Sequence, residues 1–337
     1  MAPSCEHCNT SWASADRAEM STPLQLLTIG RVCTDLYAEQ LRVPLAEVRS
    51  FRKSVGGTAT NVAVAAARLG HRSAVFTKVG DDPFGHYVRG ALAGTFGVDT
   101  RYVGMHPTLR TPLAFAELLD PGEPSIVFYR EPMAPEMTIT PDEVDIDVVR
   151  EVPILWVAAG ALAAEPSRGT INALLAVRGR REHTIIDLDW RPVLWGNDAA
   201  RAREAIGEVL PLATMAIGNR AECEVAVGVT DPHEAADRLL ALGLSAAIVK
   251  MGGDGVLVAT AAGVRERVPP CPVEVVCGLG AGDAFGGAVC HGLLSGWDLV
   301  QAARAGNAAG AIVASRLMCA DDMPTALEIE EMLNAAD

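Results

Sequence analysis

Lysine is nearly missing from this chain. Only Lys53, Lys78 and Lys250 occur among its 28 basic residues; the rest are Arg. No Gly-Lys dipeptide exists, which excludes a phosphate loop built on Gly-Lys-Ser/Thr. A His-Arg-Asp loop of the protein-kinase kind is also absent. Long apolar runs are missing too. The longest, Ile154–Ala164, is about half of what a spanning helix needs. Positive charge is scarce, with 28 Lys+Arg against 42 Asp+Glu, a net charge of −14 and a pI near 5.0. Such a surface repels nucleic acid and anionic lipid. An anionic small substrate is not excluded, because the field of a site is local. There is no Gly-x-Ser-x-Gly and no His-Glu-x-x-His, which speaks against a hydrolase. No Gly-x-Gly-x-x-Gly follows the first expected strand, which speaks against a nicotinamide oxidoreductase.

The eight Cys, at 5, 8, 33, 223, 271, 277, 290 and 319, are scattered. A disulfide scaffold does not suit a chain of 337 residues without a secretory signal. Cys5 and Cys8 form a C-x-x-C, but no second pair follows at zinc-site spacing. The expectation is a reduced, cytoplasmic protein with incidental thiols.

Residues 1–22 are polar and aperiodic and read as a disordered tail, with Met20 as a candidate start. Residues 23–337 read as one α/β domain. Its elements begin with a buried strand over 24–30, short half-exposed strands over 36–43 and 48–53, and a small-residue helix over 57–69. A strand over 73–79 and a helix over 84–96 follow. The runs 111–119 and 125–130 flank Asp120-Pro121-Gly122-Glu123-Pro124, a hairpin signal. After Pro153 strands over 154–159, 184–188, 214–217 and 246–249 alternate with helices. That rhythm predicts a mainly parallel sheet covered on both faces. The segments near 33–54 and 108–131 predict a small β-rich excursion able to act as a lid.

The strongest chemical signal is Gly280-Ala281-Gly282-Asp283, expected just after a short strand and at the start of a helix. Its glycines let consecutive N–H groups point into one concavity, where the helix dipole adds positive potential. This suits phosphate. Asp283 is out of place in a mere phosphate site, since like charges repel. It makes sense as a base for a hydroxyl attacking a phosphoryl group. The four residues alone also allow an ordinary acidic residue in a first helical turn. A second signal is Gly56-Gly57-Thr58-Ala59-Thr60-Asn61. Paired Gly permits close backbone approach to a ligand, and Asn61 can both donate to and accept from a polyol. An ordinary entry into a helix remains open there.

These two segments, in this order, resemble the two signatures of the PfkB, or ribokinase-like, sugar kinases. Val79-Gly80-Asp81-Asp82-Pro83, Asn219-Arg220-Ala221-Glu222 and Lys250-Met251-Gly252-Gly253-Asp254-Gly255 resemble that family's intermediate marks. The likeness runs from Leu24 to about Leu333. It implies a three-layer α/β/α fold with a small β-sheet lid, and it implies ATP and Mg²⁺ as cofactors. Asp283 would be the general base, with the amides of Gly280, Ala281 and Gly282 on the transferring phosphoryl group. Asp35, Gly56, Gly57 and Asn61 would hold the sugar. Asn219 and Glu222 would position Mg²⁺ and phosphate, Glu222 indirectly. Lys250, Gly252, Gly255 and Asn307 would line the nucleotide. A homodimer through the lid sheets is implied as well. Many relatives carry Asp-Thr before the Gly-Ala-Gly-Asp as part of a monovalent-cation site. Here Cys277 and Gly278 stand in those places, so the resemblance does not extend to that ion.

Within this likeness, Arg130 ends the lid hairpin and Arg191 follows a core strand. Arg matches a carboxylate with its planar fork, so the two suggest an acidic sugar. Each could instead make a structural ion pair, or Arg191 could serve ATP phosphate. The runs from Ile29 to Leu36, Phe128-Tyr129-Arg130, Leu188-Asp189-Trp190-Arg191-Pro192 and Asp322-Met323-Pro324-Thr325 resemble the 5-dehydro-2-deoxygluconokinase branch. Those enzymes phosphorylate the 6-hydroxyl of 5-dehydro-2-deoxy-D-gluconate in myo-inositol catabolism. The 2-dehydro-3-deoxygluconate kinases are the nearest rival, and a catalytically inactive ligand sensor on the same fold is the non-enzymatic one.

Overall fold

The computed structural model describes residues 23–120 and 124–336. The expected tail at 1–22, its C-x-x-C and the tip of the 120–124 turn lie outside the described residues.

Leu26–Ile29 (β1) is a four-residue apolar run buried on both faces, the pattern of a central parallel strand. The chain continues through β2 (Cys33–Ala38), β3 (Phe51–Gly56), β4 (Ser73–Gly80), β5 (Val103–His106), β6 (Leu113–Glu117) and β7 (Ser125–Tyr129). Then follow β8 (Ile154–Ala158), β9 (Thr184–Asp187), β10 (Met215–Asn219), β11 (Ala246–Lys250), β12 (Val256–Thr260) and β13 (Arg265–Val268). Nine of these form one sheet, ordered β13-β12-β11-β10-β9-β8-β1-β4-β5. Seven run parallel, from β11 across to β5, while β12 and β13 pair antiparallel at one edge.

Alternate strand residues face opposite layers. Leu27, Leu155, Ile186 and Ala247 pack with Ile171, Ala202 and Leu239 from helices Ser167–Arg178, Ala199–Val209 and Pro232–Ala241. Leu26, Ile154, Ile185 and Ile248 pack with Val62, Phe285 and Ala303 from helices Thr58–Arg68, Ala281–Leu294 and Leu299–Ala314. The result is the expected three layers. Among the described residues no helix is long and apolar enough to cross a membrane.

The remaining strands, β3-β2-β6-β7, form the second, smaller sheet. Its strands do not sit where periodicity puts them. The expected strands at 36–43 and 48–53 are displaced to 33–38 and 51–56, with turns between. β2 lies inside this sheet, with β3 and β6 as neighbours. It is covered in part on both faces, with Tyr37 reaching Cys319 of the C-terminal segment, so both ends are buried and the simple alternation is lost. The sequence reading also omits β5, β12 and β13. β13 reads Arg-Glu-Arg-Val and is mostly exposed, as charged edge strands are. Nor does a strand precede Gly280: residues 269–280 are irregular.

Candidate active site

The parallel strands all end on one edge of the sheet, where α/β folds place ligands. Arg31 follows β1, Asp187 ends β9, Asn219 ends β10 and Lys250 ends β11. Two helices begin at the same edge, Thr58–Arg68 and Ala281–Leu294. Each starts from a glycine at positive φ, Gly57 at 107° and Gly280 at 79°, a conformation other residues rarely adopt. Small residues let these helices touch. A Cβ added at Gly287 would overlap Ala65. This close packing brings Asn61 Nδ2 to 2.7 Å from Asp283 Oδ2, to which it donates.

Burial pushes Asp283 up to about 6, although the Asn61 bond opposes the shift. A carboxyl titrating there is poised to take a proton near neutral pH. Asn61 Oδ1 is buried without a partner among the described residues, so an acceptor stands ready for a ligand hydroxyl.

Two cavities meet at the turn Gly278–Asp283. The first lies under the small sheet. Asp35, Gly57, Asn61, Arg191, Gly280 and Asp283 line it, together with Arg31, Thr58, Phe128 and Cys319. The second, of about 560 Å³, opens on the other side of the turn. Lys250, Gly252, Gly255, Ala281, Gly282 and Asn307 line that one, with apolar walls such as Val273, Val275 and Phe285. Lys250 lies beneath the Gly-rich turn, where a Cβ added at Gly282 would sit 3.2 Å from its Nζ. Asn307 Nδ2 donates to the carbonyls of Pro269 at 2.7 Å and Val268 at 3.3 Å, tying the cavity's wall to helix Leu299–Ala314.

Four nominated residues line neither cavity. Gly56 has no Cβ because the Asp35 carboxylate packs on its Cα. Asn219 and Glu222 form a reciprocal capping box at the start of helix Arg220–Val227, the Asn219 N–H donating to Glu222 Oε2 at 2.6 Å. Arg130 donates to Glu136 Oε1 at 2.7 Å, and Glu136 is 1% exposed. Its guanidinium therefore serves a buried ion pair between the small sheet and the body.

Asp35 accepts from Cys33 Sγ and from the Tyr37 hydroxyl, both at 3.0 Å. Burial raises its titration point despite these bonds. Three groups on this wall were not nominated from the sequence, although Arg31 and Thr58 fall inside runs that carry the resemblance. Arg31 reaches the pocket from the β1 end, Thr58 from the helix start and Cys319 from the C-terminal segment. Beneath the turn, Asp187, Glu222 and Lys250 cluster, with Lys250 Nζ 3.9 Å from Glu222 Oε2. Burial pushes Asp187 well above the usual carboxylate range, and Lys250 offsets only part of this. Cys277, just before the Gly-rich turn, is a buried thiol.

The family model for pfkB carbohydrate kinases matches residues 24–326. The chain belongs to that family. A Bacillus anthracis protein named 5-dehydro-2-deoxygluconokinase is 32% identical, over 94% of this chain and 96% of the relative. Among solved structures, a Vibrio cholerae fructokinase double mutant with fructose, ADP and potassium superposes with a TM-score of 0.81 at 25% identity, covering 93% of this chain and 99% of that one. An uncharacterized sugar kinase from Pyrococcus horikoshii in complex with ATP gives 0.75 at 26% identity, covering 91% and 99%. This pfkB protein therefore has the ribokinase-like α/β fold, a large mostly parallel sheet with a smaller second one.

Proposed function

We propose that this protein transfers the γ-phosphoryl group of ATP to the 6-hydroxyl of an acidic sugar, 5-dehydro-2-deoxy-D-gluconate. The observation that carries the reading is Asp283 at the meeting point of two cavities. Asn61 holds it on one side, and the Gly-rich turn and Lys250 lie on the other. The pocket under the small sheet suits the sugar. The larger, apolar-walled cavity suits the nucleotide, in line with the ATP-bound Pyrococcus relative. Arg191 in the sugar pocket and the Bacillus relative's name support an acid as substrate.

Asp283 takes the hydroxyl proton as the oxygen attacks phosphorus. The base can be modest, because the transition state is loose and charge stabilisation dominates. The amides of Gly280, Ala281 and Gly282 and the Lys250 ammonium face the charge that develops on the phosphoryl oxygens. Asp35 and Asn61 fix the sugar hydroxyls.

Mg²⁺ fits the carboxylates under the turn. Asp187 and Glu222 are buried beside Lys250, and a divalent ion nearby would favour the ionised form of Asp187 that burial disfavours. Among the described residues no three His, Cys, Asp or Glu are grouped to hold a metal. The ion would thus reach the site mainly on nucleotide phosphates, where it neutralises phosphate charge.

The test is ADP release with Mg-ATP and a panel of 5-dehydro-2-deoxygluconate, 2-dehydro-3-deoxygluconate, fructose, ribose and adenosine. Preference for the first supports the reading. Preference for the second keeps the mechanism and replaces the substrate. No turnover with any of them, despite ATP binding, would favour a ligand sensor.

A further inference from the structure

Arg31 is a buried charge on the wall of the sugar pocket whose hydrogen bonding is incomplete. Its side chain is 4% exposed, yet it lines the cavity. Nη2 donates to Thr58 Oγ1 at 2.7 Å and lies 3.4 Å from both oxygens of Asp189. That second separation is long for a charged pair, which closes to about 2.7–2.9 Å when well formed. Nε is buried with no partner among the described residues. A guanidinium offers five N–H donors, and here its partners gather on one nitrogen.

Asp189 is also divided. Thr58 Oγ1 donates to its Oδ1 at 3.0 Å, and Arg191 Nε stands 3.6 Å from the same oxygen. Two guanidiniums thus share the buried Asp189 carboxylate at long range, with Glu136 and Asp283 as the further acids acting on Arg31. The Phe128 ring, 5.9 Å from the Arg31 guanidinium, roofs it from the small sheet. Arg130 is not available for the same task, since Glu136 holds it outside the cavity.

We infer that Arg31 is the residue that selects an acidic substrate, receiving the sugar carboxylate on the part of the guanidinium that lines the cavity, with Arg191 alongside. The inference rests on the acidic-sugar reading above and names the group that enforces it. The substrate's carboxylate completes the guanidinium's hydrogen bonding, and Thr58 and Asp189 hold the fork in place while it is bound.

The experiment compares 5-dehydro-2-deoxy-D-gluconate with its carboxamide in the unaltered protein and in Arg31→Met. The ratio of kcat/KM for acid over amide is the readout. The unaltered protein should prefer the acid by about 30-fold or more, the scale of a buried charge contact. In Arg31→Met that preference should collapse while KM for Mg-ATP moves less than about threefold. A preference kept in Arg31→Met overturns the inference, even if both substrates turn over more slowly. If the unaltered protein shows no preference, the acidic-sugar reading itself falls. Should Arg31→Met not fold, Arg31→Lys and Thr58→Val replace it. The first keeps the charge without the fork, and the second removes the hydroxyl that orients it. Each should lower the ratio, and an unchanged ratio in both overturns the inference.

Discussion

Asn61 and Asp283 lie 222 positions apart in the chain and 2.7 Å apart in the fold. Their bond joins the first turns of two helices that alanine and glycine allow to touch. The donor steadies the ionised carboxylate while burial works against it. Much of the protein's behaviour should follow from that balance.

With Asp283 titrating near 6, kcat/KM should fall about tenfold per pH unit below that value. Asp283→Asn should lower turnover by roughly 10²–10⁴ and leave nucleotide binding nearly unchanged. A loss under about tenfold in a steady-state assay would remove Asp283 from the role of base.

Asn61→Ala deletes the donor that favours the charged form. The acid limb of the same profile should then move up by about half a unit to one unit. A limb that stays in place would show that the bond contributes nothing to the balance.

Stability should respond in the opposite sense to activity. The Asp283 carboxyl titrates at 3.8 ordinarily and near 6 in the fold. Between those values the folded chain binds the proton more tightly, so stability falls as pH rises through them and stays lower above. Asp283→Asn escapes this loss. It should be more stable than the unaltered protein at pH 8 by on the order of 1–2 kcal/mol, a figure reduced because the side chain keeps some solvent contact. At pH 4 the gain should be nearly gone. Urea melts at the two pH values check the sign.

Glu222 caps its helix, and the proposed function gives it a second task toward Mg-ATP. A glutamine preserves the capping box with Asn219, since either side chain serves at that position. Glu222→Gln should therefore keep the melting temperature and raise KM for Mg-ATP severalfold. Glu222→Ala should also lose about 1 kcal/mol of stability. Equal kinetics for Glu222→Gln and the unaltered protein would leave Glu222 as a helix cap alone.

Arg130→Ala strands Glu136, which is 1% exposed. Breaking one side of such a pair costs about 3–5 kcal/mol. Adding Glu136→Gln should recover most of it in a thermal melt. No recovery would mean that Arg130 matters through something other than its pair.

The layered fold was legible because it depends on local pattern. Short apolar runs alternating with capped, amphipathic helices allow few arrangements. Gly280-Ala281-Gly282-Asp283 was legible for a similar reason: a glycine at positive φ before a helix, with an acid in its first turn, is a local device. The small sheet was harder. β2 is covered in part on both faces, with Tyr37 reaching Cys319 of the C-terminal segment, so its burial departs from the period-two pattern and its ends were displaced.

Residue chemistry and order along the chain determined the kind of site to look for: a Gly-rich turn with a carboxylate, an amide two-thirds of the chain away and arginine in place of lysine. Tertiary structure decided which arginine faces the pocket. Arg130 and Arg31 are alike as residues, but a buried Glu136 pairs with the first away from the cavity lining, while Asp189 is shared between the second and Arg191. It decided as well that Asn219 and Glu222 cap a helix and that Cys319 closes the pocket beside Gly280. Such outcomes depend on where distant strands end and which partners lie within about 3–4 Å, and charge pairing at that range is set by packing across the sheet.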